Sequence, residues 1–366
     1  MPNVLSDGSV ELLKLIDSIK KRELISSSDL ASKTFTAFLF LVSQFKFALI
    51  LHSWSSRDEL YDKVCFFVNK ISQFCRPHAI AAENAALRVL KVTYNVFYSK
   101  ESSDEKAFCH RTFLKQPGSV FRIPNDNDQI LPEDISTYSS VLKEELHFLM
   151  AEFNNCRNDI SGQSIQHVHT NETIMVHGYS QTVELFLRHA ARKREFRVIV
   201  CQASPDNTGH LMVARLSELP KIEVSLIPDS SMYAVMARVN KVIISCYGIF
   251  ADGALCTRSG ILPLVICAST YGIPVMVCTG LHKLSPRYTI SNTVCGRDVE
   301  PTLLGSPSLI IGHREASSMP YFEILNPLFE FVPADVINLF ITNKGDVSPT
   351  YMYRLIKELY RIDDQK

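Results

Sequence analysis

The alternation of short apolar runs with helix-spaced segments across residues 172–278 constrains the fold more than any other feature. It opens with Thr173-Ile-Met-Val-His177, closed by Gly178, after which Ser180 stands where a helix N-cap belongs. Val183, Leu185, Phe186, Leu187, Ala190 and Ala191 then recur at helical spacing. Arg192, Lys193 and Arg194 follow, and cations suit the carboxyl end of a helix dipole. Phe196-Arg-Val-Ile-Val-Cys201 reads as strand again. The pattern repeats: helix 210–219, strand 221–227, helix 231–239, strand 241–245, helix 259–271, strand 274–278. Five apolar strands alternating with four helices predict a Rossmann-like α/β layer, because a parallel sheet covered on both faces needs apolar runs rather than polar alternation.

Upstream, helical periodicity runs over 10–20, from caps at Ser26 to Asp29, along the apolar stretch 35–51, over 56–71 and over 79–98. The stretch 35–51 is short for a bilayer and is interrupted by Gln44 and Lys46, which predicts a core helix rather than a membrane span. Residues 99–135 are polar, with Pro117, Pro124 and Pro132, and read as an irregular loop before a last helix at 136–153. The expected organisation is an all-helical domain, 1–160, followed by the α/β domain, 161–366. Beyond 278 a proline-bearing loop leads to two segments of helical pattern, 333–340 and 349–360.

With 38 basic and 38 acidic residues the net charge is zero, which argues against direct nucleic-acid binding, since phosphate neutralisation needs a basic surplus. Residues 1–21 lack a charged-then-apolar signal segment. The expectation is a cytoplasmic chain whose ten cysteines are reduced and mostly buried.

Phosphate-binding signatures are missing. The first strand-to-helix turn, Val176-His-Gly178-Tyr-Ser180, has one glycine where a dinucleotide fold has three, and no P-loop motif occurs. His167 and His169 could share a strand face, but no third ligand stands at metal spacing, so no metal and no cofactor is expected. Cys246 and Cys256 flank a loop, 247–255, that leaves the carboxyl end of a strand. A thiolate there needs a base or cation, and Arg258 is the one at hand. Plain loop cysteines are the expectation, and Asp252 beside Gly253 reads as a turn.

Val239-Asn-Lys-Val-Ile-Ile-Ser245 followed by Ala251-Asp-Gly-Ala254 resembles the core of a family with two branches. One holds sugar-phosphate isomerases acting on methylthioribose 1-phosphate and ribose 1,5-bisphosphate. The other holds the alpha, beta and delta regulatory subunits of eukaryotic translation initiation factor 2B. Arg76-Pro77 and residues 81–90 extend the likeness into the helical domain. Gly178-Tyr-Ser-Gln-Thr-Val-Glu184, Ala190-Ala-Arg-Lys-Arg194, Phe340-Ile-Thr-Asn-Lys-Gly345 and Ser348-Pro-Thr-Tyr-Met-Tyr-Arg-Leu-Ile-Lys-Glu-Leu-Tyr360 resemble the beta members of the second branch.

The isomerases carry Glu-Thr-Arg-Pro after the second strand and Asn-Gly-Asp in a later loop. Here these are Gln202-Ala-Ser-Pro205 and Asp252-Gly253-Ala254, lacking the guanidinium clamp and the catalytic acid. The resemblance therefore implies no catalytic residues and a vestigial ligand loop at Asp252, Gly253 and Ala254. It implies a regulatory subunit of a cytoplasmic guanine nucleotide exchange complex, assembled with alpha, gamma, delta and epsilon subunits as a heterodecamer. Exchange would reside in gamma and epsilon, and the core would sense initiation factor 2 phosphorylated on its alpha subunit. It also implies a small-molecule pocket at the beta–delta junction formed by Asn171, Arg197 and Ile199, with Arg197 in place of a smaller histidine. Two other functions are weighed beside this one: a sugar-phosphate isomerase, and a nucleotide-binding scaffold outside translation.

Overall fold

The computed structural model describes residues 7–20, 27–50, 57–74, 80–98, 132–288, 304–316, 318 and 321–360. Two compact units emerge, Met1–Phe153 with Arg354–Lys366, and Asn154–Tyr353. The first contains helices α1 (Asp7–Lys20), α2 (Ser27–Ile50), α3 (Arg57–Phe74) and α4 (Ile80–Tyr98). It also holds most of α5 (Pro132–Gly162), so helix begins at Pro132, inside the segment expected to be irregular. The remainder of that expected loop, 99–131, lies outside the described residues, as does Arg76-Pro77.

The helical core follows the apolar spacing. Leu12, Ile16 and Ile19 of α1, Phe35, Phe38 and Leu41 of α2, Val64 and Ile71 of α3 and Ala85, Ala86 and Val89 of α4 are buried. The alanines of α4 allow close helix approach, while Thr34 and Thr93 satisfy their buried hydroxyls on the carbonyls of Leu30 and Val89, one turn back. No helix among the described residues is long and apolar enough to cross a membrane.

The second unit begins with the end of α5 and α6 (Ser164–His167), then β1 (Thr173–His177), α7 (Gln181–Ala191), β2 (Phe196–Cys201), α8 (Gly209–Leu216) and β3 (Ile222–Ile227). It continues through α9 (Met232–Met236), β4 (Lys241–Ile244), β5 (Gly248–Ile249), β6 (Leu255–Arg258), α10 (Ile261–Thr270) and β7 (Val275–Cys278). After α11 (His313–Ala316) come β8 (Phe329–Val332), β9 (Leu339–Thr342), β10 (Gly345–Val347) and α12 (Met352–Tyr360), which runs into the helical unit.

Seven strands form one sheet in the order β10-β9-β7-β4-β1-β2-β3, parallel throughout except for β10. The five strands expected from the sequence are its centre and one edge. One face buries Ile174, Val176, Val198, Val200 and Ile243 against Val183, Phe186 and Leu187 of α7, Met212 and Leu216 of α8, and Cys156 and Ile160 of α5. Burial on this scale supplies most of the stabilisation, at about 1.5–3 kcal/mol per large side chain.

Three expectations are corrected. The segment 333–340 is not a helix but a short 3-10 turn, Ala334–Val336, leading into β9, because Asn338 bonds Val275 of β7 through both its backbone N–H and its side-chain oxygen and draws the chain into the sheet. The loop 247–255 is largely a hairpin, β5–β6, which β8 extends into a separate antiparallel sheet. Ser180 does occupy the N-cap of α7, but its hydroxyl makes no capping bond.

Candidate functional site

Ligands of doubly wound sheets bind beyond the carboxyl ends of the strands, where the strand order reverses. Here β2 and β3 lie on one side of β1 and β4 lies on the other, so the reversal falls between β1 and β4. His177, which ends β1, and Cys246, two residues beyond β4, mark the place.

The charged groups around it are engaged by one another. Arg258, at the end of β6, forms an ion pair with Asp206 from the turn after β2. Asp229, beyond β3, accepts the backbone N–H of Ala203 at 3.0 Å and of Ser204 at 2.6 Å, so its carboxylate holds the segment Gln202-Ala-Ser-Pro205. Ala203 adopts φ +61° within that segment. Behind it, a side chain at Gly209 would collide with the carbonyl of Cys201, leaving no room at the β2–α8 turn.

The amino end of α10 is likewise taken. Helix N-termini attract phosphate because their N–H groups are unpaired and the dipole is positive there. Glu330 of β8 accepts the Leu262 N–H at 2.5 Å and also bonds the backbone of Gly260 and Ile261. Burial pushes this carboxyl above the ordinary range, against the pull of those N–H groups. Gly260 has φ +98°, and a Cβ there would fall 2.6 Å from His177 Nε2, so only glycine lets α10 start against the end of β1.

His177 is buried, with Nε2 3.8 Å from Asp229 Oδ1, beyond hydrogen-bond reach. Desolvation lowers its imidazole below the usual value and Arg258 adds to the effect, while Asp229 opposes it. A neutral ring results, packed rather than presented.

Neither thiol is a nucleophile. Cys246 donates to Thr279 Oγ1 at 3.3 Å, and burial pushes its ionisation up despite Lys283 nearby. Cys256 is raised further, again by burial, and Cys201 is held at about 12. The buried Lys283 donates to the Cys246 carbonyl at 2.7 Å, and desolvation lowers its ammonium from the ordinary range. None of the seven described cysteines is part of a disulfide.

The loop expected to be vestigial is the tip of the β5–β6 hairpin. Asp252 is exposed and its Oδ1 accepts the Ala254 N–H at 3.1 Å, an Asx turn that consumes the carboxylate in folding its own loop. Gly253 has φ +82°, and a Cβ there would press on Ala334 at 3.2 Å. Ala254 is buried and has no side-chain polar atom to offer.

Asn171 and Arg197 lie at the opposite, amino end of the sheet, and Ile199 sits in the middle of β2. Asn171, with φ +65°, donates its backbone N–H to Glu195 at 2.8 Å and so links the entries to β1 and β2. Thr173 pairs with Arg197 and Met175 with Ile199, which places Arg197 and Ile199 on one face of β2. This face is turned away from α7 and α8. The Arg197 guanidinium is largely exposed and its Nε donates to Glu223 on β3 at 2.7 Å.

His167 and His169 are not on a strand. His167 Nε2 is 3.0 Å from Asp346 and its ring stacks on Phe186, while His169 Nδ1 is 2.9 Å from Arg194. No group of three or more His, Cys, Asp or Glu among the described residues could hold a metal. Sequence reasoning missed Asp206, Asp229 and Glu330. Asp229 was within reach, since it stands two residues past the end of β3. Glu330 and Asp206 carry no local signal, being 68 and 52 residues from the groups they bind.

Comparison with known proteins places these features in context. The model of the Initiation factor 2 subunit family matches residues 37–349. The translation initiation factor eIF2B subunit beta of Dictyostelium discoideum is 37% identical over 242 residues, covering 66% of this chain and 61% of that one. The corresponding subunit of Schizosaccharomyces pombe is 29% identical over 96% of this chain and 95% of its own length. A ribose 1,5-bisphosphate isomerase of Haloferax volcanii is 23% identical, with 77% and 88% covered. Among solved structures, the tetrameric eIF2B-beta2-delta2 complex from C. thermophilum aligns over 97% of both chains with a TM-score of 0.70 at 19% identity, a likeness of fold.

Proposed function

The chain belongs to the initiation factor 2 subunit family, and from that premise we propose that it is a beta-type, non-catalytic regulatory subunit of the guanine nucleotide exchange factor for translation initiation factor 2. It builds a cytoplasmic hetero-oligomeric core with alpha- and delta-type subunits, senses phosphorylation of the alpha subunit of factor 2, and leaves exchange to gamma- and epsilon-type subunits. The observation that carries this reading is the self-occupied carboxyl edge. Arg258 is bound by Asp206, the amino end of α10 by Glu330, and Asp252 is spent on its own turn. An isomerase needs those positive groups free for phosphate and a positioned acid free for proton transfer. The beta-subunit relatives at 37% and 29% identity support the regulatory branch over the isomerase one.

Asn171, Arg197 and Ile199 form the beta side of a small-molecule pocket at the junction with the delta-type subunit. Arg197 narrows it and adds a permanent positive charge. The test is reconstitution of the complex with and without this chain. Nucleotide exchange on factor 2 is measured with unphosphorylated and phosphorylated substrate, and ribose and methylthioribose phosphates are offered to the chain alone. Loss of the phosphorylation response without the chain, and no sugar-phosphate turnover, are expected. Turnover would overturn the reading.

A further inference from the structure

The sequence contains the dipeptide Ser-Pro four times, at Ser204, Ser285, Ser306 and Ser348, and Thr-Pro nowhere. Ser-Pro is the recognition pair of proline-directed protein kinases, and proline holds the residue before it in the extended backbone that a kinase groove takes up. Phosphoryl transfer needs the hydroxyl in solvent and a backbone free to be lifted into that groove. These two conditions separate the four sites.

Ser285 is fully buried. Ser204 is exposed, but its N–H is held by the Asp229 carboxylate at 2.6 Å, so an incoming phosphate would meet an anion already in place. Ser306 is exposed, but the chain around it is fastened to Asn326. The Gly305 N–H donates to the Asn326 carbonyl at 2.6 Å, and Asn326 Nδ2 donates to the Ser306 carbonyl at 3.0 Å. Ser348 meets both conditions. It is exposed and extended, with φ −75° and ψ 153°, and it directly follows β10, a three-residue strand at the edge of the sheet. Its carbonyl accepts the Tyr351 N–H at 3.0 Å and its Oγ lies 2.8 Å from Thr350 Oγ1, both contacts within its own turn.

We propose that Ser348 is a phosphoacceptor for a proline-directed kinase, an assignment independent of the regulatory reading above. Ser348 Oγ attacks the γ-phosphorus of a nucleoside triphosphate and the bond from that phosphorus to the bridging oxygen breaks. The hydroxyl proton passes to a base of the kinase, and nucleoside diphosphate leaves. The fold gives the modification a consequence. The 3-10 turn Pro349–Tyr351 runs straight into α12, so the phosphate stands at the start of the helical run 349–360. Pro349 suits the first position because it has no N–H to strand, and the N–H groups that open a helix lack partners further back in it. A phosphate carries about −1.5 to −2 charges, which the positive end of a helix favours. The unmodified hydroxyl makes no capping bond, so the phosphate adds an interaction rather than replacing one. Asp346, two residues back, is engaged elsewhere, with Oδ1 3.0 Å from His167 Nε2.

The full chain is incubated with a cyclin-dependent or mitogen-activated kinase, magnesium and ATP, beside a peptide covering 343–354. Phosphosites are mapped by mass spectrometry in wild type, Ser306→Ala, Ser348→Ala and Ser348→Thr. Phosphorus NMR titrates the phosphate, and amide exchange is followed over 350–356. Wild type, Ser306→Ala and Ser348→Thr should each take a phosphate at position 348, and Ser348→Ala should take none there while melting as wild type does. The phosphate should complete its ionisation below the value of about 6 found in the free peptide, and it should slow exchange at the start of α12 by about two- to fivefold. A folded chain left unmodified, whether or not the peptide is modified, would overturn the assignment. So would a phosphate carried by Ser204, Ser285 or Ser306 in place of Ser348, a result that wild type and Ser348→Thr decide even if Ser348→Ala fails to fold. Ionisation equal to that of the peptide, with exchange unchanged, would overturn the link to α12.

Discussion

The buried ion pair at the amino end of the sheet offers a quantitative test of how the site residues are held. Lys241 starts β4 with its side chain 8% exposed, and its Nζ lies 2.8 Å from Glu172 Oε2 and 2.5 Å from the His167 carbonyl. Glu172 is 19% exposed and also accepts the His169 N–H at 2.8 Å. Removing one partner of a buried pair costs about 3–5 kcal/mol because the other charge is left without compensation. After Lys241→Met, Glu172 keeps one backbone N–H and some water, so about 3 kcal/mol is expected. For a unit of this size that corresponds to a melting shift of roughly 6–12 °C.

Glu172→Gln should cost a similar amount, since Lys241 is then buried against one carbonyl. The double variant, a neutral pair of similar volume, should cost at least about 2 kcal/mol less than the sum of the single ones. Glu172 lies between Asn171 and Thr173, so each single variant should also speed hydrogen exchange at the entry to β1 and weaken ligands of the proposed pocket. Urea unfolding of the three variants, with exchange rates at β1 and β4, makes the comparison. A Lys241→Met form within 1 kcal/mol of wild type, or singles that simply add, would refute the argument.

Glu330→Ala should cost about 1–2 kcal/mol by stranding N–H groups at the start of α10, while Glu330→Gln keeps an acceptor and should cost less; thermal unfolding ranks the two. The buried imidazole of His177 titrates below its ordinary value, so its contribution to stability is present above that value and is lost as pH falls below it, when the unfolded chain takes up a proton the folded chain refuses. His177→Asn should therefore flatten the stability profile between pH 7 and 5 by up to about 1.4 kcal/mol per pH unit, and an unchanged slope would exclude that assignment. Arg197→His should tighten binding of activators shaped for histidine to the reconstituted complex, read by calorimetry; equal affinity would remove Arg197 from the pocket.

The centre of the sheet was legible because strands such as β4, whose Val242-Ile-Ile244 are all buried, leave continuous apolar runs as a sheet covered on both faces requires. What escaped was short or remote. Strands β5 and β10 have two and three residues, too few for periodicity to separate strand from loop. The run 333–340 carries apolar residues at spacings that suit a helix, yet Ile337 and Phe340 are buried from a turn and a strand. The site failed to show for another reason: its bonds join Asp206 to Arg258 and Glu330 to Leu262, and no local window contains both members of either pair.

These pairings also determine which end of the sheet can respond to a ligand. A phosphate entering beside α10 would have to displace Asp206 from Arg258 and Glu330 from the helix terminus, leaving two partly buried carboxylates unpaired. Each such loss costs several kcal/mol. A micromolar ligand has only about 8 kcal/mol of binding free energy in total. The displacement would consume most or all of it, so a phosphate cannot open the carboxyl edge unaided. At the amino end the Arg197–Glu223 pair is largely exposed on both sides, and such a pair is worth about 0–1 kcal/mol. A ligand or a neighbouring chain can therefore displace it at little cost.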